Sequence, residues 1–113
     1  MTRIFLVEDN TAVREGVRRT LEESGHEVVA EAVTLQDALN FVDQLKEGVV
    51  DVAILDGSLF PGSQEDGRRV AKALRDQIPE SSIKIIVFSA RDQSWGDVYV
   101  PKSSGPAELL KII

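Results

Sequence analysis

Short runs of β-branched and apolar residues alternate along the chain with longer stretches in which apolar positions recur every three or four residues. Ile4-Phe5-Leu6-Val7 reads as a buried first strand. Beyond it, Asn10 or Thr11 can cap a helix whose Val13, Val17 and Leu21 lie on one face before Gly25 ends it. Glu27 to Ala32 alternates and predicts a second strand. Thr34 with Asp37 three residues on is a capping signal, and Leu35, Ala38, Leu39, Val42 and Leu45 then face inward until Gly48. Val49 to Leu55 predicts strand three. Past a loop of Gly, Pro and Ser, the positions Val70, Ala71, Leu74 and Ile78 mark a third helix that Pro79 stops. Ile83 to Phe88 predicts strand four.

This rhythm is that of parallel βαβ units, an α/β fold. After Ser89 it breaks. Only nine residues separate Ser89 from Tyr99, too few for a full crossover helix of about 10–14 residues. A short loop or single turn is expected there, followed by a brief strand over Asp97 to Val100 and a short last helix over Pro106 to Ile113. A chain of 113 residues fits one domain, residues 1–113. Thirteen basic against nineteen acidic residues give a net charge of −6, which argues against nucleic acid or an anionic membrane as the main partner. The absence of cysteine excludes a disulfide framework, a thiolate nucleophile and cysteine-ligated metal sites. The apolar opening is too short for a signal peptide, and no run is long enough to span a membrane, so a soluble, cytoplasmic protein is expected.

In an open parallel sheet the binding crevice lies at the carboxyl ends of the strands. The residues expected there are Glu8 and Asp9 after strand one, Asp56 after strand three, Ser89 after strand four and, past Pro101, Lys102 after strand five. Three carboxylates, a hydroxyl and an ammonium suit a hard cation and a phosphoryl group. Mg²⁺ takes oxygen ligands, which Asp9 and Asp56 can supply with Glu8 behind them. Asp56 is also a candidate nucleophile, because a carboxylate can form an aspartyl phosphate without losing a proton first. Lys102 and the metal would neutralise the transferring oxygens, and the Ser89 hydroxyl would donate to one of them.

With these residues in place, the sequence resembles the receiver domain of two-component response regulators. The motifs that carry the likeness are Ile4-Phe5-Leu6-Val7-Glu8-Asp9-Asn10, Asp51-Val52-Ala53-Ile54-Leu55-Asp56, Asp66-Gly67-Arg68, Phe88-Ser89-Ala90 and Tyr99-Val100-Pro101-Lys102. The resemblance implies a doubly wound, flavodoxin-like sheet of five parallel strands in the order 2-1-3-4-5, with helix four shortened or absent. It implies Asp56 as phospho-acceptor, Glu8, Asp9 and Asp56 as ligands of Mg²⁺ or Mn²⁺ together with the Ser58 carbonyl, Ser89 and Lys102 as partners of the phosphoryl group, and Ser89 with Tyr99 as the switch pair. Ser58 and Arg91 match positions that tune dephosphorylation. A histidine kinase or phosphotransfer protein is the implied phosphodonor, and a signalling domain rather than an enzyme is the implied class.

Three departures from the family pattern stand out. Pro61 falls five residues after Asp56 where four is usual, Pro101 precedes Lys102 instead of a proline following it, and the length for a fourth helix is missing. The displaced Pro61 and the shortened fourth segment motivate an alternative, a pseudo-receiver that binds a partner without phosphorylation. A third reading takes Leu55-Asp56-Gly57-Ser58-Leu59 as similar to the DxDG[ST] motif of haloacid-dehalogenase-like phosphatases, but the nucleophile position would be Ile54, which cannot attack phosphorus. Trp95 is expected either to pack over the end of the sheet, the favoured reading, or to be presented to a partner; His26 is expected to be a surface histidine, and Arg68 and Arg69 to be solvated or to contact a kinase partner.

Overall fold

The computed structural model describes residues 1–57, 59, 65–79, 82–91 and 94–113. Among them, strands β1 (Arg3–Val7), β2 (Glu27–Ala32), β3 (Val52–Leu55), β4 (Lys84–Ser89) and β5 (Val98–Pro101) form a parallel sheet in the order β2-β1-β3-β4-β5. Four α-helices accompany it among the described residues: α1 (Thr11–Glu23), α2 (Leu35–Asp43), α3 (Asp66–Gln77) and the single-turn α4 (Ala107–Leu110).

Alternation along each strand sorts the core into two halves, because successive side chains leave a strand on opposite faces. Phe5, Val7, Ala53, Leu55 and Ile85 pack against Ala38 and Val42 of α2 and Val70 and Leu74 of α3. Ile4, Leu6, Ile54, Ile86 and Phe88 point the other way, onto Val17 and Leu21 of α1 and Leu109 of α4. With apolar residues on both faces, β1, β3 and β4 lack the polar alternation of a one-sided sheet, and this is why they read as continuous apolar runs.

Local chemistry sets the element ends. Asn10, not Thr11, caps α1, its Oδ1 accepting from the Val13 N–H at 3.0 Å, and Thr34 Oγ1 accepts from the Asp37 N–H at 3.1 Å. Strand three begins at Val52 rather than Val49 because the Asp51 carboxylate accepts from the Arg3 backbone N–H (2.9 Å) and pairs with its guanidinium (3.1 Å). Helix α2 stops at Asp43, and Gln77 of α3 donates its Nε2 to the Leu45 carbonyl at 3.0 Å. Leu45 is buried beyond the helix end. The last helix covers only four of the residues expected of it. His26 is half-buried, and its Nδ1 accepts from the Thr2 N–H at 3.3 Å, so it ties the chain start to the turn before β2.

The β4–β5 connection, residues 90–97, forms turns and bends with no helix among its described residues. Asp97 anchors it. Its backbone N–H donates to the Ile85 carbonyl (2.8 Å), its Oδ2 accepts from the Ile85 N–H (2.7 Å), and its Oδ1 accepts from Arg75 of α3 (2.8 Å). This occupation of Asp97 starts β5 one residue later than expected. Burial works against the charged carboxyl, yet Arg75 and the Ile85 N–H hold its pKa below the ordinary value. Asp97→Ala would orphan the N–H of fully buried Ile85 and is expected to lower unfolding stability by about 1–3 kcal/mol, measured by chemical denaturation.

Candidate functional site

Glu8 and Asp56 leave the sheet side by side, because Val7 pairs with Leu55 in the β1–β3 register. The ladder continues one step past each strand. The Glu8 N–H donates to the Ala32 carbonyl and the Asp56 N–H to the Val7 carbonyl, both at 3.0 Å. After β1 the chain turns towards β2, and after β3 towards β4, so the two carboxylates stand where the strand order reverses. Arg14 of α1 donates to the Glu8 carbonyl at 3.1 Å and fixes that end of β1.

One carboxylate oxygen from each of Glu8, Asp9 and Asp56 lies within 4.8 Å of the others. Glu8 is 1% exposed and Asp56 5%. From the far side of the sheet Lys102 brings its Nζ to 3.0 Å from Glu8 Oε1 and 3.0 Å from Asp56 Oδ2. Proline before the lysine does not prevent this reach. Pro101 ends an edge strand, where its missing N–H breaks no ladder, and Lys102 opens a single 3-10 turn (Lys102–Ser104) directed at the site.

Burial, and then the neighbouring Asp56 charge, push the Glu8 carboxyl up to about 7, against the opposing pull of the Asn10 N–H and Lys102. For Lys102, burial pulls downward, but its bonds to Glu8 and Asp56 outweigh this and hold the ammonium above its ordinary value. Fully ionised, the three carboxylates and one ammonium carry a net two negative charges, with Glu8 and Asp56 buried and Asp9 and Lys102 partly exposed. An all-oxygen donor set of that charge fits a hard divalent cation such as Mg²⁺.

Ser89 is the last residue of β4 rather than the residue after it, and it is buried. Its Oγ accepts from the Arg91 N–H at 3.5 Å, and its carbonyl accepts from the Tyr99 hydroxyl at 3.3 Å. The structure thus brings Glu8, Asp9, Asp56 and Lys102 into one cluster, with Ser89 and Tyr99 linked at the same end of the sheet. Ser58 and Pro61 lie outside the described residues. Arg68 and Arg69 are exposed, Arg68 standing 3.6 Å from Glu65. Beside Lys102, an apolar recess of about 260 Å³ is lined by Ala12, Val13, Gly16, Phe88 and Pro106.

Gly67 is the contributor whose structural part the sequence did not reveal. Its N–H donates to the Gly57 carbonyl at 3.1 Å, and a Cβ there would fall on the Asp56 carbonyl oxygen. A glycine in a helix's first turn, where no turn geometry requires one, was the signal available.

The fold and this cluster are those of a receiver domain. The family model for the response regulator receiver domain matches residues 4–113, and the chain belongs to that family. It is 33% identical over 110 residues to the virulence transcriptional regulatory protein PhoP of Salmonella typhimurium, covering 97% of this chain and 45% of that protein. It is 30% identical over 124 residues to the response regulator UvrY of Escherichia coli, covering all of this chain and 53% of that one. The chain therefore spans about half the length of the curated relatives it matches. Among solved structures, the response regulator TrrA of Thermotoga maritima, in complex with Mg²⁺-BeF, superposes with a TM-score of 0.76 at 31% identity, covering 99% of this chain and 96% of that one. Receiver domains are signalling domains that take phosphate from histidine kinases and bind Mg²⁺ at an acidic pocket. Among the described residues, no helix is long and apolar enough to cross a membrane.

Proposed function

We propose that residues 1–113 act as one phosphorylation-dependent receiver domain in which Asp56 is the acceptor. The observation that carries this reading is the contact of one ammonium, Lys102, with both Glu8 and Asp56 at the switch point of the sheet. An Asp56 oxygen forms a bond to phosphorus as the bond to the donor breaks, whether P–N of a phosphohistidine or P–O of an acyl phosphate, and the leaving group keeps that electron pair. No base is needed, since an ionised carboxylate attacks without first losing a proton. Glu8, Asp9 and Asp56 would hold Mg²⁺, or Mn²⁺, which when bound supplies positive charge opposite the phosphoryl oxygens. Lys102 neutralises a further oxygen and Ser89 donates its hydroxyl to another. Once Ser89 is engaged, the Tyr99 hydroxyl on its carbonyl reports the change to the β5 edge.

The phosphodonor is a histidine kinase or phosphotransfer protein, which would meet the apolar recess between α1 and Pro106 as it delivers the group. Output proceeds by protein contact, not through nucleic acid or a membrane, in the cytoplasm. Slow loss of the phosphoryl group by hydrolysis, tuned from Arg91 and Ser58, resets the domain.

Intact mass after incubation with acetyl phosphate tests the assignment. The expected result is one added phosphoryl group that requires Mg²⁺ and is lost in Asp56→Asn. A wild type that stays unmodified where a control receiver is labelled would remove Asp56 as acceptor.

A further inference from the structure

The short β4–β5 connection lies on the α2/α3 face of the sheet, over β4. A Cβ on Gly96 would stand 2.5 Å from Val87 Cγ2 and 3.2 Å from the Ile85 carbonyl, so the backbone rests on the strand with no room for a side chain. Trp95, one residue earlier, is half-buried and packs with the core shared by α2 and α3. Its ring reaches the first turn of α3, where a Cβ on Gly67 would meet Trp95 Cη2 at 2.9 Å. Gly67 is in turn bonded to the Gly57 carbonyl, next to Asp56. Beyond Trp95, Asp97 binds both β4 and Arg75 of α3, and β5 with Tyr99 begins at the following residue.

These contacts form an unbroken series from Asp56 through Gly57, Gly67, Trp95 and Asp97 to β5. Both ends are pinned and the middle is a large rigid ring packed against a residue with no side chain, an arrangement that transmits displacement because close-packed groups cannot absorb it. It runs on the opposite side of β4–β5 from α1 and α4, and does not pass through the Tyr99 hydroxyl.

We propose that Trp95 is a positioning residue that couples the acceptor loop at Asp56 to the β5 edge, carrying the signal through the short connection that stands where a fourth helix would. The proposal rests on the reading of Asp56 as acceptor. Loading Asp56 requires Gly57 to accommodate new oxygens, Gly67 follows through its hydrogen bond, and the Trp95 ring moves with Gly67.

Trp95 is the chain's one tryptophan, so its emission reports that ring alone. Loading with acetyl phosphate and Mg²⁺, followed by intact mass in parallel, is expected to shift the emission of the wild type and of Tyr99→Phe but not of Asp56→Asn. Hydrogen exchange of the peptide covering residues 94–101 is the second readout. In the wild type and in Trp95→Phe, loading is expected to change its protection roughly fivefold, whereas Trp95→Ala takes up the phosphoryl group with less than about a twofold change. Phosphoryl mass without any emission shift overturns the coupling and leaves the acceptor standing. A loaded Trp95→Ala with the full exchange response overturns it too. If Trp95→Ala does not fold, the wild-type emission decides alone. No phosphoryl mass in the wild type overturns the acceptor and the coupling together.

Discussion

Gly67→Ala is expected to destabilise the fold by about 3 kcal/mol, the upper end of the roughly 1–3 kcal/mol that overpacking typically costs, because the atoms it meets are mostly backbone. The added methyl would land on the Asp56 carbonyl oxygen, 2.9 Å from Gly57 Cα and 2.9 Å from Trp95 Cη2. Two of these three are backbone atoms, one belonging to the acceptor itself, so relief must come from moving the first turn of α3 off the sheet. That movement also breaks the bond from the Gly67 N–H to the Gly57 carbonyl. Alanine's better helix propensity, worth about 1 kcal/mol, works in the other direction and is outweighed. Gly16→Ala isolates that propensity term. Gly16 lies inside α1 with nothing within 4 Å of where a Cβ would stand, and its replacement is expected to stabilise by about 0.5–1 kcal/mol. Urea denaturation of both variants provides the comparison. A Gly67→Ala protein as stable as the wild type would mean that α3 is not seated on Asp56 as described.

Gly67 also marks how far the sequence could be read. The strands, the cap at Thr34 and the break after Ser89 follow from periodicity and side-chain chemistry within a few residues, and the structure has them, whereas the choice of Asn10 over Thr11 as the first cap comes from the structure alone. The boundaries that moved did so for long-range reasons. Asp51 is occupied by Arg3 48 residues away, Asp97 by Ile85 and Arg75, and the end of α2 by Gln77. None of these partners is adjacent in sequence, so no local pattern announces them. In the site, the strand-end rule sends Glu8, Asp9, Asp56 and Lys102 to one rim, and the structure brings their side chains together there, because the carboxyl ends of parallel strands share that rim whatever the loops do. What it could not give is that Lys102 bridges Glu8 and Asp56, that Glu8 is so dry, or that Trp95 fills the space beside Gly67. Each of these depends on how faces pack rather than on spacing.

The dryness of Glu8 leads to the second large effect, a loss of stability with rising pH in the metal-free protein. The folded carboxyl titrates near 7, against an ordinary value of 4.5. Between those values the unfolded chain has released this proton and the folded chain keeps it, so folding becomes less favourable as pH rises through the window. The shift corresponds to roughly 3 kcal/mol, fully developed above pH 7 and absent below about pH 4. Asp51 and Asp97 act in the opposite sense but outside this window, because their folded pKa values lie below the ordinary 3.8 and their stabilisation is lost only in stronger acid. Denaturation in EDTA at pH 5 and pH 8 should therefore show the wild type less stable at pH 8, with most of the difference removed in Glu8→Gln. Adding Mg²⁺ should restore more stability at pH 8 than at pH 5, since a cation binds the ionised cluster and stabilises whichever state holds it. Equal stability at the two pH values in EDTA would show that Glu8 is hydrated or paired well enough to remain charged. Equal rescue by Mg²⁺ at both would show that the cation binds without Glu8. The two results separate the electrostatics of the carboxylate from its part in holding a metal, which a loss of phosphorylation in the same variant could not do.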